Sequence, residues 1–188
     1  MKKLFFAILV VLLCSPMGYA REPKRGYRGF FDIDACVGAF EYDEDWHHAI
    51  WAAGLSTSHG YQINSNWFVG VGVMFEPYLN FGGGIVPFFA EGRFDKTWGK
   101  FTPFADVRLG YAINDGAGDG VYFSPTVGYR FNFGHKVNIN IGLGLNFRSM
   151  TQRYEAYWRD PATNISYNYK ESYTSTRSMF NFRVGFDF

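Results

Sequence analysis

The sequence predicts an all-β protein, an eight-stranded antiparallel up-and-down transmembrane β-barrel. Three observations support this prediction. Phe, Tyr and Trp make up 21% of the 188 residues. Glycine accounts for 22 residues, or about 12%, whereas an average protein has about 7%. Apolar residues recur at every second position in eight segments, which is the period of a strand with two different faces. Past the N-terminus, no apolar run reaches the ~20 residues that a membrane-spanning helix requires.

Residues 1–20 are predicted to be a secretory signal peptide. Basic Met1–Lys3 precedes the apolar run Leu4–Cys14, and small residues follow at Gly18 and Ala20, the order typical of such signals. A short buried helix and lipidation at Cys14 are the alternatives, but the leucines before Cys14 lack the small residues of a lipoprotein site. Cleavage after Ala20 leaves 21–188 as the barrel domain. It then retains a single cysteine and forms no intramolecular disulfide.

The first four elements each oppose an apolar face to a mixed one. They are 30–39, 51–58, 67–76 and 86–94. Their apolar faces are, in order, Phe31, Ile33, Ala35, Val37 and Ala39; Trp51, Ala53, Leu55 and Thr57; Trp67, Val69, Val71, Val73 and Phe75; and Val86, Phe88, Ala90 and Phe94. Each segment is close to the ~9–11 residues of a tilted membrane strand.

The last four elements alternate more regularly. They are 104–111, 121–133, 137–148 and 180–188. Their apolar faces are Ala105, Val107, Leu109 and Tyr111; Val121, Phe123, Val127, Tyr129, Phe131 and Phe133; Val137, Ile139, Ile141, Leu143, Leu145 and Phe147; and Phe180, Phe182, Val184, Phe186 and Phe188. Proline removes a donor from the strand ladder, so Pro87, Pro103 and Pro125 are expected at strand ends or bulges.

The connections are expected to alternate in length. Short ones are predicted at 62–66, 95–100 and 134–136, and longer ones at 41–49, 78–84, 113–120 and 152–175. Short turns opposite longer loops are typical of outer-membrane barrels. All mature lysines fall in these connections or in the tail. For the last connection, extension of strands seven and eight as a ribbon is the favoured interpretation.

The composition of the mixed face decides which way it points. A soluble lipocalin-like barrel turns its apolar face inward around a ligand, and a membrane barrel turns it outward. The mixed face is rich in glycine, and all its bases are arginine, which suits buried ion pairs. This favours the membrane barrel, with a lumen ion-pair network formed by Asp32, Asp34, Glu76, Glu91, Arg93, Asp106, Arg108, Arg130, Arg148, Arg183 and Asp187.

Several segments resemble a known family. They are Gly26–Phe30, Ser58–Gln62, Phe104–Tyr111, Tyr122–Pro125 and Phe182–Phe188. On these segments the chain resembles the small eight-stranded outer-membrane barrels of Gram-negative bacteria, such as the OmpA membrane domain and OmpX, and the porin-like outer membrane β-barrel families of Bacteroidetes-type genomes. The resemblance implies location in the cell outer membrane and a C-terminal assembly signal read by the barrel-assembly machinery. That signal comprises Phe182, Val184, Phe186 and Phe188.

No enzyme activity, metal or cofactor is predicted. Ser58 and His59 are adjacent, but neighbours in a strand point to opposite faces and cannot form a catalytic dyad. The acidic and histidine residues of 41–48 match no calcium-loop spacing. A lipid-modifying enzyme nevertheless stays open as an alternative, as does a soluble ligand-binding barrel.

The expected partners follow from these predictions. The formal net charge of +1 gives no basic excess for nucleic acid. Outer-membrane lipids should contact the apolar face, and tyrosine-rich long loops could bind an extracellular ligand. An eight-stranded barrel is just wide enough for its own side chains, so an occluded lumen is expected.

Overall fold

The computed structural model describes residues 25–41, 47–80, 83–96, 101–114, 119–132, 138–159 and 166–188. The predicted signal peptide and residues 42–46 of the acidic segment lie outside these ranges, and the side chains of Glu41, His47 and His48 are not described either. Within the described ranges, no helix has the length and hydrophobicity needed to cross a membrane.

Eight antiparallel strands form one closed barrel in sequence order, as predicted. They are β1 (Gly26–Glu41), β2 (His47–Gln62), β3 (Trp67–Pro77), β4 (Gly84–Asp95), β5 (Phe101–Asn114), β6 (Asp119–Asn132), β7 (Asn138–Arg159) and β8 (Ser166–Asp187). β1 closes the barrel against β8 over Phe30↔Asp187 to Gly38↔Met179. Two backbone hydrogen bonds extend that seam. The Gly29 N–H donates to the Phe188 carbonyl oxygen at 2.8 Å, and the Phe188 N–H donates to the Gly29 carbonyl oxygen at 3.0 Å.

The two faces of each strand meet different surroundings. On the outer face, Val71, Leu143 and Phe180 are 66%, 64% and 70% exposed, whereas the charged residues of the opposite face are buried. An inward apolar face, which the soluble-barrel alternative requires, is therefore excluded for the described strands. The alternation predicted from the sequence holds in the described part of all eight strands, and the predicted apolar positions Ala39, Phe133 and Val137 lie outside the described side chains.

The predicted alternation of loop lengths is wrong. Every connection between neighbouring strands spans only four to six residues, because the longer predicted loops are largely taken up by strand extension. The change is greatest in β7 and β8, which pair from Asn138↔Asp187 to Arg159↔Ser166. Beyond Thr151, the last β7 residue paired with β6, these strands pair only with each other. They form a ribbon of roughly 25 Å at strand rise, as the ribbon interpretation predicted. Lys170, predicted in a loop, lies in this ribbon.

The three strand prolines occupy different places. Pro103 lies near the start of β5, but Pro125 lies mid-strand and without a bulge, contrary to the prediction. The β6–β7 register runs unchanged across a gap in pairing at Ser124 and Pro125. A similar gap in the β3–β4 ladder falls at Pro87, consistent with the missing proline N–H.

Glycine allows a close approach of strands at Gly110. A Cβ atom there would overlap the carbonyl oxygen of Phe88 and lie 2.6 Å from the Cα atom of Phe89. A Cβ on Gly92, in the adjacent strand β4, would meet nothing within 4 Å.

Gly110→Ala is therefore expected to destabilise the folded barrel by about 1–3 kcal/mol, the usual cost of overpacking. Gly92→Ala serves as the matched control and should leave stability unchanged or slightly raised. The measurement is the midpoint of urea unfolding of the detergent-folded protein, monitored by tryptophan fluorescence. Equal midpoints for the two variants would contradict the close approach.

Candidate functional site in the barrel interior

The two ends of the barrel are distinguished by what they carry. The terminal end holds the start of β1 and the end of β8. The ribbon end carries the β7–β8 ribbon. Between them the interior charges form three groups, described in turn from the terminal end.

The terminal cluster is centred on the buried carboxylate of Asp95. Its Oδ2 atom lies 2.5 Å from Arg28 Nη1 and 3.3 Å from Arg130 Nη1, and its Oδ1 atom lies 2.8 Å from Arg93 Nε. Arg28 also pairs with Asp187 at 2.9 Å. One carboxylate thus contacts three converging guanidinium groups, which suits the planar donors of arginine.

Neighbouring side chains complete the terminal cluster. Arg28 Nη1 donates to Gln62 Oε1 at 2.9 Å, and Arg93 Nη2 donates to Asn140 Oδ1 at 2.7 Å. The Arg93 guanidinium also lies 3.7 Å from the ring centroid of Phe104, a cation–π contact. The arginines are therefore held by hydrogen bonds and by aromatic faces, as buried cations require.

The central cluster joins walls that lie far apart around the barrel. Arg108 of β5 pairs with Asp32 of β1 and lies 3.3 Å from Glu91 Oε2. Arg183 of β8 bridges Asp34 and Asp106, each at 2.9 Å. In a closed ring of eight strands, β1 and β5 are diametrically opposite. The Arg108–Asp32 pair therefore spans the lumen.

The central cluster has polar neighbours that share its bonds. Asn181 Nδ2 donates to Asp34 Oδ1 at 2.9 Å, and Arg108 Nη1 donates to Ser56 Oγ at 3.1 Å. Ser56 in turn donates to Asp34 Oδ2 at 3.3 Å. The hydroxyl links the two arginine groups into one network.

The third group lies nearer the ribbon end. Arg148 of β7 pairs with Glu76 of β3, again across opposite walls. Arg148 Nε also donates to Asn146 Oδ1 at 3.3 Å. Apolar side chains fill the barrel around this pair. They form two buried groups, Met74, Ile85, Phe89, Ala112, Tyr122 and Met150, and Cys36, Ile50, Ala52 and Met179, with Tyr78 packed against both.

All eleven residues of the proposed lumen network lie in this interior, each within 4 Å of an opposite charge. Sequence reasoning missed two members, Arg28 and Asp95. Arg28 precedes Phe30, where strand one was predicted to begin, and Asp95 was assigned to the following turn. Continuing the alternation by two residues from Phe30 and from Arg93 would have placed both on the inner face.

The adjacent residues Ser58 and His59 do not come together in the interior. Ser58 is fully buried and His59 lies on the outer face, so the two side chains are separated by the wall. Among the described residues, no group of three His, Cys, Asp or Glu side chains is placed to hold a metal ion.

Asp95→Asn tests the terminal cluster. Removing this carboxylate leaves three buried guanidinium groups short of a counter-charge, and breaking such a buried pair costs about 3–5 kcal/mol. We expect a marked fall in the urea midpoint of the detergent-folded protein. Asp119→Asn is the control, because Asp119 is exposed at the start of β6. Equal effects of the two changes would contradict the role of Asp95.

No protein-family model matches the chain, and no curated protein matches it. Among solved structures, the chain is similar to the Neisserial surface protein A (NspA) at a TM-score of 0.56 and 13% identity. That match covers 88% of this chain and 98% of NspA. The outer membrane protein OprG from Pseudomonas aeruginosa matches with 13% identity and a TM-score of 0.49, over 88% of this chain and 97% of OprG. At this identity the likeness to NspA bears on fold alone, and it agrees with the closed eight-stranded barrel. The chain thus has the fold of a small outer-membrane β-barrel.

Proposed function

We propose that the protein is an integral outer-membrane β-barrel without enzymatic activity, with a closed interior and a structural or surface-adhesive role. The observation that carries the closed interior is the pair of ion bridges between opposite walls, Arg108–Asp32 and Arg148–Glu76. The three arginines Arg108, Arg130 and Arg148 are each at most 1% exposed. An interior crossed at two levels by buried side chains leaves no room for a water-filled channel.

The outer wall supports a membrane location. Each strand contributes exposed apolar side chains to one belt, such as Ile33, Leu109 and Val127. Among the described residues, the exposed charged side chains are Arg25, Lys96, Asp119 and Lys170, which all lie at strand ends or in the ribbon. A contiguous apolar surface of this extent is typical of a lipid-facing wall.

The height of the belt fits a bilayer. Along β5 an exposed aromatic residue lies near each end of the belt, Phe101 toward the terminal end and Tyr111 toward the ribbon end. A strand tilted by about 40° rises roughly 25 Å between these positions, which equals the apolar band of outer-membrane barrels. The terminal end would then face the periplasm and the ribbon the exterior.

The proposed assembly signal lies on the outer face of β8. Phe186 stacks on Phe31 of β1 with ring centroids 5.4 Å apart, and Phe182 pairs with Ala35 in register. Val184 pairs with Ile33 of the same strand. These side chains therefore border the seam that closes the barrel, where the assembly machinery would bind β8 before β1 pairs with it.

The adhesive part of the proposal concerns the ribbon. It projects past the last β6 pairing, and both of its strands have an outer edge without a described neighbour strand. Exposed edges of this kind can add a strand from a partner, and the ribbon sequence is rich in tyrosine. A ribbon that is long and paired internally can present such an edge away from the membrane.

A planar-bilayer recording tests the closed interior. The purified folded protein is expected to give no stable, large conductance steps, because ion bridges cross the lumen at two levels. Detergent alone provides the baseline. Stable large steps would contradict the closed interior, and recovery of the protein in the soluble fraction without detergent would contradict the membrane location.

A further inference from the structure

A short chain of hydrogen-bonding side chains lies on the otherwise apolar outer wall near the terminal end. The Tyr27 hydroxyl lies 2.6 Å from His59 Nδ1, and His59 Nε2 lies 3.0 Å from Thr57 Oγ1. Thr57 Oγ1 also lies 3.0 Å from the carbonyl oxygen of Phe30, to which it donates. Tyr27, at the rim, is 60% exposed, while Thr57, deeper in the wall, is buried.

The hydrogen positions in this chain follow from the donor count. Thr57 has one hydroxyl hydrogen and gives it to the Phe30 carbonyl, so His59 Nε2–H must donate to Thr57. In the neutral imidazole His59 Nδ1 is then an acceptor and takes the Tyr27 hydroxyl hydrogen. The exposed Tyr27 oxygen keeps its own lone pairs as acceptors. The cluster therefore presents an acceptor to the membrane interface.

A cationic side chain, that of Arg25, lies at the same rim as this acceptor. The side-chain Nε of Arg25 donates to the carbonyl oxygen of Ile63 at 3.1 Å, next to the last β1–β2 pair, Gly26↔Gln62. Tyr27 pairs with Tyr61 in the β1–β2 register. The Arg25 side chain is exposed, and its terminal nitrogens remain available to an anion. Acceptor and cation thus lie two residues apart at the same rim.

A groove adjoins the deep end of the cluster. It has a volume of about 540 Å³, and its lining includes Thr57, His59, Val71, Val73, Ala90 and Leu109. The aliphatic part suits an acyl chain lying along the wall. A second outer groove of about 480 Å³, lined by Val127, Tyr129, Ile141 and Leu143 among others, has an exposed tyrosine but no histidine in its lining.

We propose that this rim and groove form a binding site for one aminophospholipid of the phosphatidylethanolamine type. The phosphate lies on Arg25, the ammonium donates to the Tyr27 oxygen, and one acyl chain occupies the groove lined by Val71, Val73 and Leu109. The complementarity of a cation and an acceptor to a phosphate and an ammonium selects this headgroup. The proposal rests on the proposed membrane location of the outer wall.

Two lipids that differ only at the headgroup nitrogen provide the test. Dioleoyl phosphatidylethanolamine has an N–H donor, and dioleoyl phosphatidylcholine has none. Native mass spectrometry of the detergent-folded protein with equal amounts of both lipids gives their relative retention. We expect the ethanolamine lipid to be favoured about three- to tenfold, the range that one hydrogen bond supplies.

Three variants separate the roles of the side chains. Tyr27→Phe should abolish the preference between the lipids, because it removes the acceptor. Arg25→Gln should lower retention of both lipids equally, because both carry the phosphate. Tyr129→Phe, at the second groove, is the matched control and should leave the preference intact. Slower gel mobility on boiling verifies folding of each variant.

Several outcomes would overturn the site. These are equal retention of both lipids by the folded wild-type protein, an unchanged preference in Tyr27→Phe, and a loss of preference in Tyr129→Phe equal to that in Tyr27→Phe. Each of them leaves the membrane barrel intact, since the same sample is folded and detergent-dependent. Recovery of the wild-type protein from the aqueous fraction would instead defeat the proposed function itself.

Discussion

The narrowness of an eight-stranded barrel is the constraint on which the rest of this structure depends. Its interior holds side chains and little else, so each charge that points inward must find an opposite charge within reach. Asp95 shows the consequence most clearly, because a single carboxylate contacts three arginines from β1, β4 and β6. Buried ion pairs add little net stability compared with apolar packing. In this barrel they allow charged side chains to be buried in the interior, each beside an opposite charge, while the outer wall stays apolar.

The same constraint divides the chemistry of the protein between two surfaces. The inner face holds the buried ion pairs together with two buried apolar groups, whereas the outer face of the described strands is apolar. The Tyr27–His59–Thr57 chain illustrates how a polar group is tolerated on the wall, because both ring nitrogens of His59 have hydrogen-bond partners. Unpaired, they would be costly in hydrocarbon.

The period of two made the strand number, the inner and outer faces and the interior charges predictable from sequence. It acts within one strand, so it assigns a side chain to a face but not to a neighbour. Partners such as Arg183 and Asp34, 149 residues apart, follow from closure of the barrel and could not be paired from sequence. Strand ends were also missed, at Arg28 and Asp95, because their continuation depends on backbone bonds to an adjacent strand. The position of Pro125 was mispredicted for a related reason, since the β6–β7 ladder omits the pairs of Ser124 and Pro125 without changing register.

The central claim is that the charged face points inward and the apolar face meets hydrocarbon. Nitroxide labels at Leu109, Val127 and Leu143, on the outer faces of three strands, test it most directly in protein reconstituted into lipid vesicles. Collision with oxygen and with a water-soluble nickel chelate is measured at each site, and Asn64 in the exposed β2–β3 turn provides the aqueous reference. We predict strong oxygen and weak nickel accessibility at the three wall positions, and the reverse at Asn64. Nickel accessibility at the wall equal to that at Asn64 would contradict the account.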